Sequence, residues 1–222
     1  MLSQFVIVMS TFESALNLKT FEKCRDETIP RKTVGKILEA GRYAPSPGNV
    51  QCLEFIVIES DDALEKLEDS TGNKKITKAP TTILVVADIP RMRKRVGSSE
   101  ARKACMAEAA FSVQNMRLVA NENDLASILV SGFDEEMVAQ KFEVPESKVP
   151  LMAVSIGYTD NPHTSEHKFR LNQRCYYDSY GRQIQSAFEG LEWKGVKEEK
   201  RIYGKKAKGL KDKLRRKLRK VL

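Results

Sequence analysis

The spacing of apolar residues lays out the elements of this chain before any motif does. Ser10 and Glu13 have the spacing of a capping box, which predicts a helix over Thr11 to Glu22. Pro30 opens a second helix, with Val34, Ile37, Leu38 and Gly41 on one face. Two prolines and a glycine in Ala44-Pro-Ser-Pro-Gly-Asn49 end that pattern in a stiff loop. Glu54 to Glu59 reads as a strand, and a short charged helix follows from Asp61 to about Glu68. After Ala79-Pro80, Thr81 to Ala87 is β-prone and nearly all apolar, as expected of a strand covered on both faces. A long helix is predicted over Ser99 to Asn121, Ala-rich around Ala104 to Ala110. Ser127 to Val130 is a buried strand ending at Gly132, Asp134 caps a helix through Phe142, and Leu151 to Tyr158 is a fourth strand. Strands alternating with helices mean α/β or α+β, and periodicity alone does not choose between them. There is no internal repeat.

Composition adds a division that the pattern does not show. The chain has 222 residues and a formal charge of +8. From residue 194 onward, fourteen Lys and Arg stand against three acids, so this segment is +11 and the preceding 193 residues are −3. The basic character belongs to an appendage, and total charge is no guide to partners. We expect a globular domain over residues 10–190 and a basic amphipathic helical tail over 191–222. Leu210, Leu214, Leu218 and Leu222 recur every four residues among cations, a narrow apolar stripe on a broad charged face. Such a helix can lie on an anionic membrane surface, neutralise nucleic-acid phosphates, or pack its stripe on the acidic body or on a partner subunit. No stretch approaches the roughly 18 apolar residues of a membrane span.

The cysteines (Cys24, Cys52, Cys105 and Cys175) form no C-x-x-C pair, and the histidines are His163 and His167 alone. No metal site is expected, and the usage fits a reducing cytoplasm. The apolar run Phe5 to Met9 lacks the flanks of a signal peptide, and Met9 offers an alternative start that intact mass decides. Phosphate-binding glycine loops, a nucleophile elbow and H-E-x-x-H are all missing. Two histidines leave little room for side-chain acid–base chemistry, so the hard chemistry of an enzyme here falls to a bound cofactor.

Several separated segments point to which cofactor. In Ala44-Pro-Ser-Pro-Gly-Asn-Val-Gln51, Pro45 and Pro47 stiffen a loop, Ser46, Asn49 and Gln51 offer polar groups, and Gly48 admits the close approach of a flat ligand. This helix, A-P-S-x-x-N-x-Q, strand arrangement resembles the FMN-dependent nitroreductase family. Lys19-Thr20 matches the family's early basic–Ser pair, and Ala79-Pro80 a common strand start. The acidic, Ala-rich helix with Gln114-Asn115 matches another family segment. Val130-Ser131-Gly132 resembles the loop facing the flavin ring near N5, Pro150 to Gly157 the late strand, and Lys168-Phe-Arg170 the late phosphate-binding pair. The resemblance covers about residues 11 to 182.

It implies an α+β fold: a three-layer α/β/α sandwich around a mixed, mainly antiparallel sheet, in a domain-crossing homodimer with flavin sites at the interface. Cys175 to Gly181 would belong to the crossing segment, although its aromatic cluster equally suits local core. It further implies that Lys19, Thr20, Lys168 and Arg170 hold the FMN phosphate. Pro45, Ser46, Pro47, Asn49, Gln51, Val130, Ser131 and Gly132 would hold the ring, and no side chain need be catalytic. The implied reaction is NAD(P)H oxidation through flavin N5, with electrons passed to a small electron-poor acceptor such as a nitroaromatic or quinone. A dehalogenation or heterocycle oxidation on the same fold is a second option. A flavin-fold binding protein acting through its tail on nucleic acid or membrane is a third. Taken singly, the cations are also ordinary surface charges, Gly48 and Asn49 ordinary turn residues, and Gly132 a strand terminator. The chain departs from the family at Leu18, Glu22, Cys52-Leu53 and Asp124-Leu-Ala-Ser127, which bears on the phosphate contacts and the acceptor.

Overall fold

A computed structural model describes residues 10–164, 168–169 and 173–182. The chain divides into two compact units, Met1–Ser165 and Glu166–Leu222. The first holds helices α1 (Thr11–Leu16), α2 (Arg31–Arg42), α3 (Asp61–Thr71), α4 (Ile89–Val96), α5 (Ser98–Glu122) and α6 (Glu135–Lys141). Its strands are β1 (Leu53–Ile58), β2 (Thr81–Asp88), β3 (Ala126–Ser131) and β4 (Lys148–Gly157). They form one sheet in the order β1-β2-β4-β3, and every pairing among the described residues is antiparallel.

The alternation of β2 explains the layers. Ile83, Val85 and Ala87 point to one face, where Met92, Ala109, Val113 and Met116 of α4 and α5 and Ile37 of α2 cover them. Leu84 and Val86 point to the other, against Leu64 and Leu67 of α3 and Val138 of α6. The result is the expected three-layer α+β sandwich, with β2 buried on both faces.

Three elements differ from the sequence reading. Helix α1 stops at Leu16, not Glu22, although its capping box forms as predicted. Beyond it, the Lys19 N–H donates to Asn121 Oδ1 (3.1 Å) and the Lys19 carbonyl accepts from Ser127 N–H (2.9 Å). The chain leaves the helix because its backbone groups find partners at the end of α5 and on the edge of β3. Strand β4 starts at Lys148 and runs through Pro150, which has no N–H to give the ladder. A register shift lets Val85 face Met152 and Val86 face Pro150, so Leu151 is a bulge that absorbs the proline. Helix α4 was not anticipated; Asp88 caps it by accepting from Arg91 N–H (2.9 Å), and Pro90 sits in its first turn.

In the second unit, Arg174 stacks on Phe169, with Cζ 3.8 Å from the ring centroid, and the rings of Tyr176 and Tyr180 lie 4.7 Å apart. The tail, residues 191–222, lies outside the described residues. No helix among the described residues is long and apolar enough to cross a membrane.

Candidate functional site

The loop between α2 and β1 is built around one buried carboxylate. Glu108, on α5 and only 4% exposed, reaches out of the first core into this loop. Its Oε2 accepts from Ser46 Oγ (2.6 Å) and from Cys52 Sγ (3.3 Å), and its Oε1 accepts from Cys52 N–H (3.1 Å). Ser46 Oγ in turn accepts from Gln51 N–H (2.9 Å). The carboxylate and the serine therefore clamp both ends of the segment Ser46–Cys52 onto a core helix. A clamp is needed, because Gly48, Asn49 and Gln51 all have left-handed backbones, with φ of +62°, +57° and +53°. For the two non-glycines that conformation costs of order 1 kcal/mol each, and it persists only where the surroundings enforce it. Asn49 and Gln51 are exposed, and Gln51 Nε2 donates to Asn49 Oδ1 (3.0 Å), so two amides stand side by side on the loop surface. Pro45 is exposed and Pro47 half-buried.

Behind the clamp, Cys52 Sγ lies 3.3 Å from Cys105 Sγ. Burial pushes both thiols above their ordinary range, and the neighbouring Glu108 carboxylate acts in the same direction. Both stay protonated at neutral pH, as structural rather than nucleophilic cysteines do.

Lys19, Thr20 and Val130 to Gly132 lie along β3. Lys19 runs on the outer edge of this strand at its start; Thr20 bridges His163, with Thr20 Oγ1 donating to the His163 carbonyl (3.1 Å). Because Ser127 N–H points outward to Lys19, alternation turns the N–H groups of Leu129 and Ser131 outward too, on an edge that no described strand covers. Ser131 and Gly132 are exposed at the far end of the strand, about 13 Å from Ser127 at the usual rise of a strand. Val130 offers only its backbone, since its side chain packs in the second core. The Lys19 ammonium pairs with Asp124 (2.8 Å), whose side chain is 88% exposed; an ion pair that open holds its partner weakly.

These residues form two groups, not one. The Pro45–Gln51 loop leads into β1 and Val130–Gly132 ends β3, at the same end of the sheet but on opposite edges. Three strand spacings, about 14 Å, separate those edges. Lys168 is exposed in the second unit, and Arg170 lies outside the described residues. A cavity of about 800 Å³ contains none of the predicted residues; Glu22, Arg25, Asp26, Thr81 and Asp160 are among its walls. A smaller one of about 170 Å³ lies at the loop, between Gln51, Glu108, Arg42, Arg91, Leu53 and Phe55.

The residues that depart from the family pattern have structural uses. Leu18 is buried core, Leu53 and Cys52 pack beneath the loop, and Glu22 pairs with Lys75 (2.7 Å). Asn115 ties α5 to α2 by donating to the Ala40 carbonyl (3.2 Å). Sequence reasoning missed Glu108 as part of the site. The available signal was an acid inside the stripe Ala101, Cys105, Ala109, Ser112, Val113, Met116 that α5 buries.

Comparison with known proteins agrees with this fold. The model of the nitroreductase family matches residues 23–74 and 69–158, together more than half of the chain. A protein of Methanothermobacter thermautotrophicus, provisionally named NADH dehydrogenase/NAD(P)H nitroreductase, is 24% identical over 164 residues, 71% of this chain and 82% of that one. Among solved structures, a nitroreductase family protein from Clostridium difficile superposes with a TM-score of 0.67 at 23% identity, covering 77% of this chain and 99% of that one. The NADPH:FMN oxidoreductase of Vibrio harveyi, complexed with NAD+, superposes at 0.69 with 17% identity and 77% coverage of each.

Proposed function

This chain belongs to the nitroreductase family, and on that premise we propose that it is a homodimeric, FMN-dependent NAD(P)H oxidoreductase acting on a small electron-poor acceptor. The observation that carries the reading is the Ser46–Cys52 loop: backbone strain fixed by a buried carboxylate, with two exposed amides as the product. A strained loop held this firmly is what presenting donors and acceptors to a flat heterocycle requires.

The residues present fit such a cofactor. Asn49 and Gln51 would meet the polar edge of the ring. The outward N–H groups of Leu129 and Ser131 and the exposed Gly132 would face the ring from the other side. Lys19 would leave its exposed partner Asp124 and Thr20 would turn its hydroxyl to bind the phosphate at the start of β3, so the cofactor would lie along that strand. When bound, FMN supplies the redox chemistry, taking hydride from NAD(P)H and returning electrons to the acceptor.

The separation of the two groups supports the dimer. One subunit carries the loop on the β1 side and the phosphate end on the β3 side, and a second copy would supply the missing half to each. FMN titration followed by flavin fluorescence tests the assignment. The wild type should bind one FMN per chain, and N49A and K19A should each weaken it roughly tenfold, the worth of one hydrogen bond to a charged or buried partner. Unaltered affinity in both variants would refute the site.

A further inference from the structure

Helix α4 carries Arg91, Arg93, Lys94 and Arg95 within five residues, all exposed, while Met92 anchors the helix in the core. None of the four side chains has an ion pair with a carboxylate among the described residues, unlike Arg42, Arg102 and Lys103 nearby. Arg91, Lys94 and Arg95 stand at i, i+3 and i+4, so they share one face with neighbouring Cβ atoms about 5–6 Å apart, and Arg93 points away. Like charges at that spacing repel one another, and an anion between them turns the repulsion into attraction.

The position of this face says which anion. Arg95 lies over the proposed ring-binding loop: a Cβ added to Gly48 would fall 2.2 Å from Arg95 Nε. Arg91 forms a wall of the small cavity together with Gln51 and Glu108. Two of the three cations therefore border the loop, and the third is one helical turn from Arg91. A nucleic acid needs several phosphate contacts along a track, whereas three cations on one turn match a compact group of phosphates. Guanidinium groups grip such oxygens in pairs.

We propose that Arg91, Lys94 and Arg95 bind the phosphates of the nicotinamide dinucleotide, docking the hydride donor beside the flavin loop. The proposal rests on the flavin oxidoreductase reading and extends it to the donor's recognition. Neither the dihydronicotinamide nor the flavin is touched by these side chains; they act on the donor's far end and so on its affinity.

The test compares the FMN-loaded wild type with R91A/K94A/R95A. With NADPH the variant should show a KM raised at least roughly tenfold and a kcat within about twofold, as expected when ground-state and transition-state binding are lost together. With 1-benzyl-1,4-dihydronicotinamide, which delivers the same hydride and has no phosphate, the two proteins should agree within about twofold. In calorimetry without any donor, adenosine 2′,5′-bisphosphate should bind the wild type at least about tenfold more tightly than the variant. R91K/R95K should recover part of the KM, because the charge is kept and the paired grip lost. An unchanged KM for NADPH, equal losses with both donors, or equal bisphosphate binding would overturn the proposal. A wild type that takes up no FMN refutes the flavin reading instead, and the bisphosphate titration still decides whether the three cations form a phosphate site.

Discussion

Glu108 is a carboxylate at a position where the burial pattern of α5 calls for an apolar residue, and every donor it meets belongs to the loop. E108A strips acceptors from Ser46 Oγ and from the buried Cys52 N–H. An unsatisfied buried donor costs about 1–3 kcal/mol, so chemical denaturation should show a loss of that size. Flavin affinity should fall by more than that of N49A, because the whole loop is released. E108D shortens the reach without changing the charge and should lie between. Cys24 gives a pH dependence. Burial pushes its thiol from the usual 9.0 up to about 12. The folded state thus holds this proton more tightly than the unfolded chain does. Its contribution is full below pH 9 and is lost as pH rises toward 12. C24A should flatten the fall in unfolding midpoint over that alkaline window, and an unchanged slope would contradict the assignment.

Among elements, the contact of α2 with α5 is set by Gly41. A Cβ there would fall 2.2 Å from Met116 Cε and 3.0 Å from Ser112 Oγ. G41A should therefore destabilise the fold by about 1–3 kcal/mol, the usual cost of overpacking, with FMN affinity retained in the folded fraction. Elements whose partners are local were legible in the sequence: the capping box at Ser10, the short charged α3, the apolar β2 and the Asp134 cap all formed as read or within a few residues. Elements decided by distant partners were not. The end of α1 depends on Asn121 and Ser127, more than a hundred residues away, and the start of β4 on a bulge opposite Val85 and Val86. Helix α4 buries only Met92, so it leaves no apolar period to find. The candidate site was legible as a set of segments. The charge that holds its loop together, and the division of its residues between the two edges of the sheet, emerged only in three dimensions.

At the scale of the molecule, charge is distributed in layers. Helix α4 carries a compact positive face, while α3 and α6 open with acidic first turns on the opposite side of the sheet. The +8 of the whole chain thus arises from unlike parts, and the basic segment from residue 194 onward is a third. Sedimentation should find a dimer, and mixing two inactive variants, one altered in the loop (N49A/Q51A) and one at the phosphate end (K19A/T20A), should restore up to about a quarter of the sites under random reassociation, since one intact site per mixed dimer carries both wild-type halves. A monomer, or mixtures with no recovered flavin binding, would contradict the shared site. The most direct measurement of the central claim is the visible spectrum of the FMN-incubated, desalted protein under anaerobic conditions before and after NADPH. We predict the absorption of oxidised flavin at one equivalent per chain and its bleaching by one equivalent of NADPH, with colour returning on addition of a quinone or nitroaromatic. Protein that emerges colourless, or keeps its flavin spectrum in excess NADPH and NADH, would contradict the account.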